Sequence, residues 1–172
     1  EQAIDYAHLR GVKVYVTVNT LIKDAEFSEA AQTLQNIAAY GADAVIVQDV
    51  GLISFLREFL PELPVHASTQ MTVHNSESVS FLEGLGVKKI VLARELSLES
   101  IRSIRKNTQA ELEVFIHGAL CICYSGQCLF SSIIGGRSGN RGYCAQPCRK
   151  QYTLKKNGKE VKLQDNFLLS PK

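Results

Sequence analysis

Residues 41–49 read Gly-Ala-Asp-Ala-Val-Ile-Val-Gln-Asp, and the fold follows from how they are read. Four apolar residues in succession, Ala44 to Val47, form a run of strand length with no helical spacing. Gly41 stops the helix before the run, and Gln48 and Asp49 end it before another helix begins. A short apolar strand between two helices belongs to a β/α unit, because parallel strands need a crossover that returns over the sheet.

The same alternation extends in both directions. Towards the amino end, residues 27–40 place Ala30, Ala31, Leu34, Ile37 and Ala38 at steps of three and four. Val12 to Val18 reads as a strand, and residues 2–10 read as a helix stopped by Gly11. Towards the carboxyl end come a helix at 51–60 ended by Pro61 and Pro64, a strand Val65 to Thr69 and a helix at 76–85. A strand Ile90 to Ala93, a helix at 97–106 behind the N-cap Ser97, and a strand Glu111 to His117 follow. Strand 1 ends Thr17-Val-Asn-Thr20, without the glycine-rich phosphate turn usual in a doubly wound sheet. The expected class is therefore α/β: a parallel (β/α) barrel-like domain over residues 1–118, incomplete at about five of eight units. Residues 119–150 read as a Cys/Gly/Arg-rich loop after a strand end, and 151–163 as a hairpin turning at Asn157-Gly158 within a final section, 151–172. The abrupt start and finish read as those of a piece excised from a longer protein.

All five cysteines fall in 28 residues, and four of them are spaced Cys121-x6-Cys128-x15-Cys144-x3-Cys148. Thiolate sulfur is a soft donor, and four at such spacings can close a tetrahedral or cubane site. Only Cys144-x3-Cys148 has the short spacing a zinc site prefers, whereas iron–sulfur ligands tolerate the looser arm. A third possibility is a nucleophilic Cys121 activated by His117, four residues upstream. Cys123 is left as a spare thiol, a small buried hydrophobe. No signal-peptide pattern and no apolar run of the ~18 residues a membrane span needs is present, so reduced or metal-bound thiols in a cytoplasmic setting are expected.

The formal net charge of +2 conceals an asymmetry. Residues 137–162 carry eight cations against Glu160, a balance of +7, while the first 136 balance to −5. That segment fits RNA or a small anionic substrate. Arg137, Arg141 and Arg149 offer forked donors to carboxylate or phosphate. In a β/α barrel, functional groups lie where strands end, and all five ends are polar: Thr17 and Asn19, Gln48 and Asp49, Thr69 and Gln70, Arg94 and Glu95, and His117. Asn19, Gln48, Gln70, Arg94 and His117 are the candidate substrate-positioning and catalytic residues. No HExxH helix and no GxSxG elbow is present, and Ser125 lacks the preceding glycine of the latter.

Glu113-x-Phe115-x-x-Gly118-Ala119-Leu120-Cys121-x4-Gly126-x-Cys128-x-x-Ser131 resembles the signature of peptidase family U32, the collagenase-like peptidases. GADAVIVQD (41–49), HASTQM (66–71), GGRSGNRGYCAQPCR (135–149) and LLSPK (168–172) extend the resemblance over the chain. It implies a barrel-like β/α domain longer than this sequence. Some members are named for a peptidase activity without settled catalytic residues. Others look like oxygen-independent hydroxylases of tRNA (with prephenate as co-substrate), of ribosomal RNA or of ubiquinone. Carried over, Cys121, Cys128 and Cys144 match ligands of a four-iron, four-sulfur cluster. Cys148 or a residue beyond 172 would be the fourth. In a fragment handled in air, the expectation is no cluster, or zinc in its place. Three functions follow: an iron–sulfur RNA hydroxylase, a peptidase with a Cys/His or metal site, and a zinc-stabilised RNA-binding module. Unpaired sheet edges in a five-strand piece lead one to expect self-association.

Overall fold

Short polar side chains set the element boundaries in the computed structural model, which describes residues 1–118 and 120–170. Asp49 accepts hydrogen bonds from the Gly51 and Leu52 amides (2.8 and 3.2 Å) and so starts α3 (Val50–Phe59). Asn75 caps α4 (Ser76–Gly84) through the Ser78 amide, and Ser97 caps α5 (Leu98–Lys106) through the Ser100 amide. The other helices of the sheet region are α1 (Gln2–His8) and α2 (Asp24–Ala39).

Between these helices run β1 (Tyr15–Val18), β2 (Ala44–Val47), β3 (Val65–Ala67), β4 (Lys89–Val91) and β5 (Glu111–Glu113). All four neighbouring pairs are parallel and the strand order is sequential, with β1 and β5 at the edges. A doubly wound sheet would reverse its order, and this one does not. The expected parallel β/α architecture is present.

Alternate strand residues face opposite sides. Val45, Val47, Val65, Ala67 and Ile90 join Leu34, Ile37, Leu52, Leu56, Val79, Leu82 and Ile104 in one core between sheet and helices. The other face is polar. Thr17, Ile46, His66, Lys89 and Glu111 stand side by side in register across all five strands. His66 is buried there against the edge-on ring of Tyr15, 4.8 Å away, and its Nδ1 has no partner among the described residues. Burial, then the nearby Lys89 charge, lowers its pKa. Lys89 pairs with Glu111 at 3.3 Å and reaches Glu113 at 3.9 Å.

Strand ends differ from the sequence expectation. β3 stops at Ala67 because Ser68 turns the chain into a 3-10 helix, Thr69–Met71, closed by Thr72 at φ 60°. β5 stops at Glu113, so Val114 to His117 run on without strand pairing. The segment expected as a loop contains α6 (Phe130–Gly135) and 3-10 turns at Gly139–Arg141 and Pro147–Arg149. The hairpin forms as expected: β6 (Lys155–Lys156) pairs with β7 (Lys159–Glu160), and both Asn157 and Gly158 take positive φ. Ala119 and the last two residues of LLSPK lie outside the described residues. Among the described residues no helix is long and apolar enough to cross a membrane.

Candidate active site

The carboxyl ends of the strands open into a cleft of about 470 Å³. Asn19, Gln70, Arg94 and His117, four of the five residues singled out from strand ends, line it with Phe115 and Leu120. Gln48 is not among the lining residues. It is buried, and its Nε2 donates to the Gln70 carbonyl at 3.3 Å, while its Oε1 has no partner among the described residues. Gln48 thus holds the loop that presents Gln70. Asp49 is likewise structural, as a cap, while Thr69 lines the cleft and donates to the Leu92 carbonyl at 3.0 Å.

The cysteine-rich segment is anchored on this mouth. Ser125 is wholly buried. Its amide and hydroxyl both donate to Glu95 Oε1 (2.9 and 3.2 Å), and its Oγ accepts from Arg94 Nε at 2.9 Å. Thr72 Oγ1 donates to its carbonyl. Gly126, at φ +71°, passes so close that any Cβ would sit 1.9 Å from the Gln70 carbonyl oxygen. Only glycine fits there. His74 donates through Nδ1 to the Thr72 carbonyl (2.7 Å), lies 3.6 Å from Glu95 and sets its ring at a tilt 5.7 Å from that of Tyr124. Ser125, Thr72, His74 and Tyr124 were not foreseen from sequence.

A second tether holds the far end. Arg141 pairs with Glu26 of α2 and donates to the Leu21 carbonyl at 2.6 Å, and the Asn140 carbonyl accepts from the Leu21 amide at 3.0 Å. The Arg141 fork, then the Lys23 amide, hold the Glu26 carboxyl down to about 2. Arg137 Nε donates to the Tyr143 carbonyl and Arg149 to the Leu120 carbonyl (3.0 and 2.7 Å). The three arginines read from sequence as anion binders therefore each spend donors on bracing the segment.

The five thiols are free. Burial pushes the Cys148 thiol up; Arg149 counteracts it, and Cys121, Cys144 and Cys128 push it further. Cys123 is half-buried rather than a core residue, and is also raised, first by burial and then by Cys128. The Cys148 thiol thus lies within the field of the Cys121, Cys144 and Cys128 thiols. Among the described residues no three His, Cys, Asp or Glu side chains form a preassembled metal cage. The donors match a soft metal centre in kind, and ligation would require the thiols to deprotonate and draw in. No hydrogen bond or ion pair links His117 to a cysteine among the described residues.

A parallel β/α sheet with a thiol-bearing segment pinned across its strand ends defines a class of protein rather than a reaction. The family model for peptidase family U32 matches residues 1–172, and the chain belongs to that family. It is 44% identical to the 23S rRNA 5-hydroxycytidine C2501 synthase of Escherichia coli, over 99% of this chain and 26% of that protein. It is 42% identical to the tRNA hydroxylation protein P of the same organism, over 91% of this chain and 35% of that one. A protein of Porphyromonas gingivalis named collagenase is 35% identical over 95% of this chain and 42% of its own length. The chain thus spans between about a quarter and two fifths of these relatives. The solved structure of the U32 peptidase Mk0906 superposes with a TM-score of 0.60 at 24% identity, covering 69% of this chain and 51% of that one, and shares the fold.

Proposed function

We propose that this chain is the cleft-and-cysteine portion of an oxygen-independent RNA hydroxylase. The observation that carries the proposal is the anchoring of the thiol segment on the mouth: Leu120 lines the cleft and Cys121 follows it directly. Cys121, Cys128, Cys144 and Cys148 would hold an iron–sulfur cluster of the four-iron, four-sulfur type. When bound, such a cluster supplies one-electron redox chemistry. Phe115, Ile116 and Leu120 give an apolar wall for a flat base or ring, and Asn19, Gln70 and His117 offer polar contacts to its edge. Arg94 keeps its terminal amino groups without a partner among the described residues, which suits an anionic co-substrate such as prephenate. The lysines of the β6–β7 hairpin, Lys155, Lys156 and Lys159, are exposed and enter no ion pair among the described residues. They would meet the phosphate backbone of tRNA or rRNA, as the names of the two Escherichia coli relatives favour.

Peptide hydrolysis has weaker support in the geometry. Ser125 is buried against Arg94 and Glu95 and does not touch an imidazole. The test is anaerobic purification of the intact protein with iron and sulfide analysis, alongside tRNA and rRNA binding at several salt concentrations. Near-stoichiometric cluster and steeply salt-weakened binding are expected. A colourless, iron-free protein after anaerobic reconstitution sinks the redox half. Stoichiometric zinc with RNA binding points to a non-catalytic module, and cleavage of denatured collagen lost in Cys121→Ala points to a peptidase.

A further inference from the structure

Positions 120–130 are exposed or half-exposed at every described residue except Ser125, which is wholly buried. A buried hydroxyl in an exposed loop needs partners, and Ser125 draws them from two strand ends at once. After β4, Arg94 Nε donates to its Oγ at 2.9 Å, and that Oγ donates onward to Glu95 at 3.2 Å. After β3, Thr72 donates to its carbonyl, and Gln127 Nε2 returns a bond to Thr72 Oγ1 at 3.1 Å. One oxygen therefore sits between a guanidinium and a carboxylate, and both its proton and a lone pair are used.

Arg94 also lines the cleft. With Nε committed to Ser125, the plane of its guanidinium is set and the two terminal amino groups are aimed together. Cys123 and Cys128 lie two residues before and three residues after Ser125. We infer that Ser125 is a positioning residue: its hydroxyl fixes the guanidinium in the cleft wall and the thiol-bearing segment in the same contact, so that substrate side and cofactor side move as one body. The inference rests on the proposed function only for what those two sides do.

The test compares Ser125→Ala and Ser125→Thr with the wild type in the intact protein, first without cofactor, by amide hydrogen exchange. In Ser125→Ala, exchange is expected to rise about tenfold or more in 93–96 and 121–128 together, while α2 and α3 stay unchanged. Ser125→Thr keeps the hydroxyl and is expected to restore both segments. Exchange in Ser125→Ala equal to that of the wild type overturns the inference. Equal loosening in the Thr and Ala variants assigns the effect to packing and also overturns it. Should Ser125→Ala fail to fold, Glu95→Gln is expected to loosen the same two segments more mildly, and no change there overturns it. In the active enzyme, Ser125→Ala is expected to lower kcat about tenfold with KM for RNA within about twofold, since the hairpin is untouched. A rise in KM alone would place Ser125 in binding instead. Coupled exchange in a protein that hydroxylates no RNA would remove the proposed function and leave the latch in place.

Discussion

At the scale of single residues, the carboxylates that look functional in the sequence divide by what they hold. Asp49 serves three amides, those of Gly51, Leu52 and, at 3.0 Å, Ile22. Asp49→Ala is expected to cost about 1–2 kcal/mol in urea denaturation, at the upper end for a lost cap, because the loop after β1 is released as well. Glu26 is held down to about 2 from an ordinary 4.5, first by Arg141. A depressed carboxyl stabilises the folded state fully above its ordinary value, and that stabilisation is lost as pH falls from about 4.5 towards 2. Arg141→Gln is expected to raise the Glu26 midpoint towards 4.5 in a carbon-13 carboxyl titration. It should also flatten the acid limb of stability. An unmoved midpoint would mean that the Lys23 amide alone sets the acidity.

The elements show what a linear reading reaches. Every strand was found, because each is an apolar run bounded by a glycine, a cap or a proline. The expected ends lie too far along at β3, β4 and β5, where Ser68, Leu92 and Val114 continue the strand-like composition but the ladder stops. Helix α6 was missed because Phe130–Gly135 is only six residues, too short to show a period. The cleft residues were legible, since the β/α topology sends strand ends to one rim. The contacts of Ser125 with Arg94 and Glu95 span about thirty residues and leave no local trace. The hairpin was the most legible element, since its turn chemistry is local. Two-residue strands bring no core of their own, so the turn carries the hairpin. Gly158, at φ +77°, is the position that tolerates a side chain least. Gly158→Val is expected to cost roughly 1 kcal/mol locally and open the hairpin, seen as loss of protection at the Val161 amide, which bonds the Leu154 carbonyl at 2.9 Å. Global melting should not move, because no core residue touches the turn. RNA affinity should become less salt-sensitive as the lysines separate.

Across the whole molecule, the two sheet edges are unequal. Edge strands present unpaired backbone groups and invite pairing with another chain unless charge discourages it. β5 carries Glu111 and Glu113 beside Lys89, a charged edge. β1 reads Tyr15-Val-Thr-Val18 and carries no charge. Its outer backbone is the place where two copies of this 172-residue chain would join. Sedimentation velocity should therefore show concentration-dependent association. Thr17 is exposed on the helix-free face, in register with Ile46, so a longer side chain there meets solvent rather than core. Thr17→Lys is expected to shift the chain to monomer while changing stability by no more than about 0.5 kcal/mol, the range of surface substitutions. The same change on β5, Glu113→Lys, would add a cation beside Lys89 and should not reduce association, because that edge is not the one that pairs. A wild-type chain that stays monomeric at every concentration would show that the β1 edge is already protected.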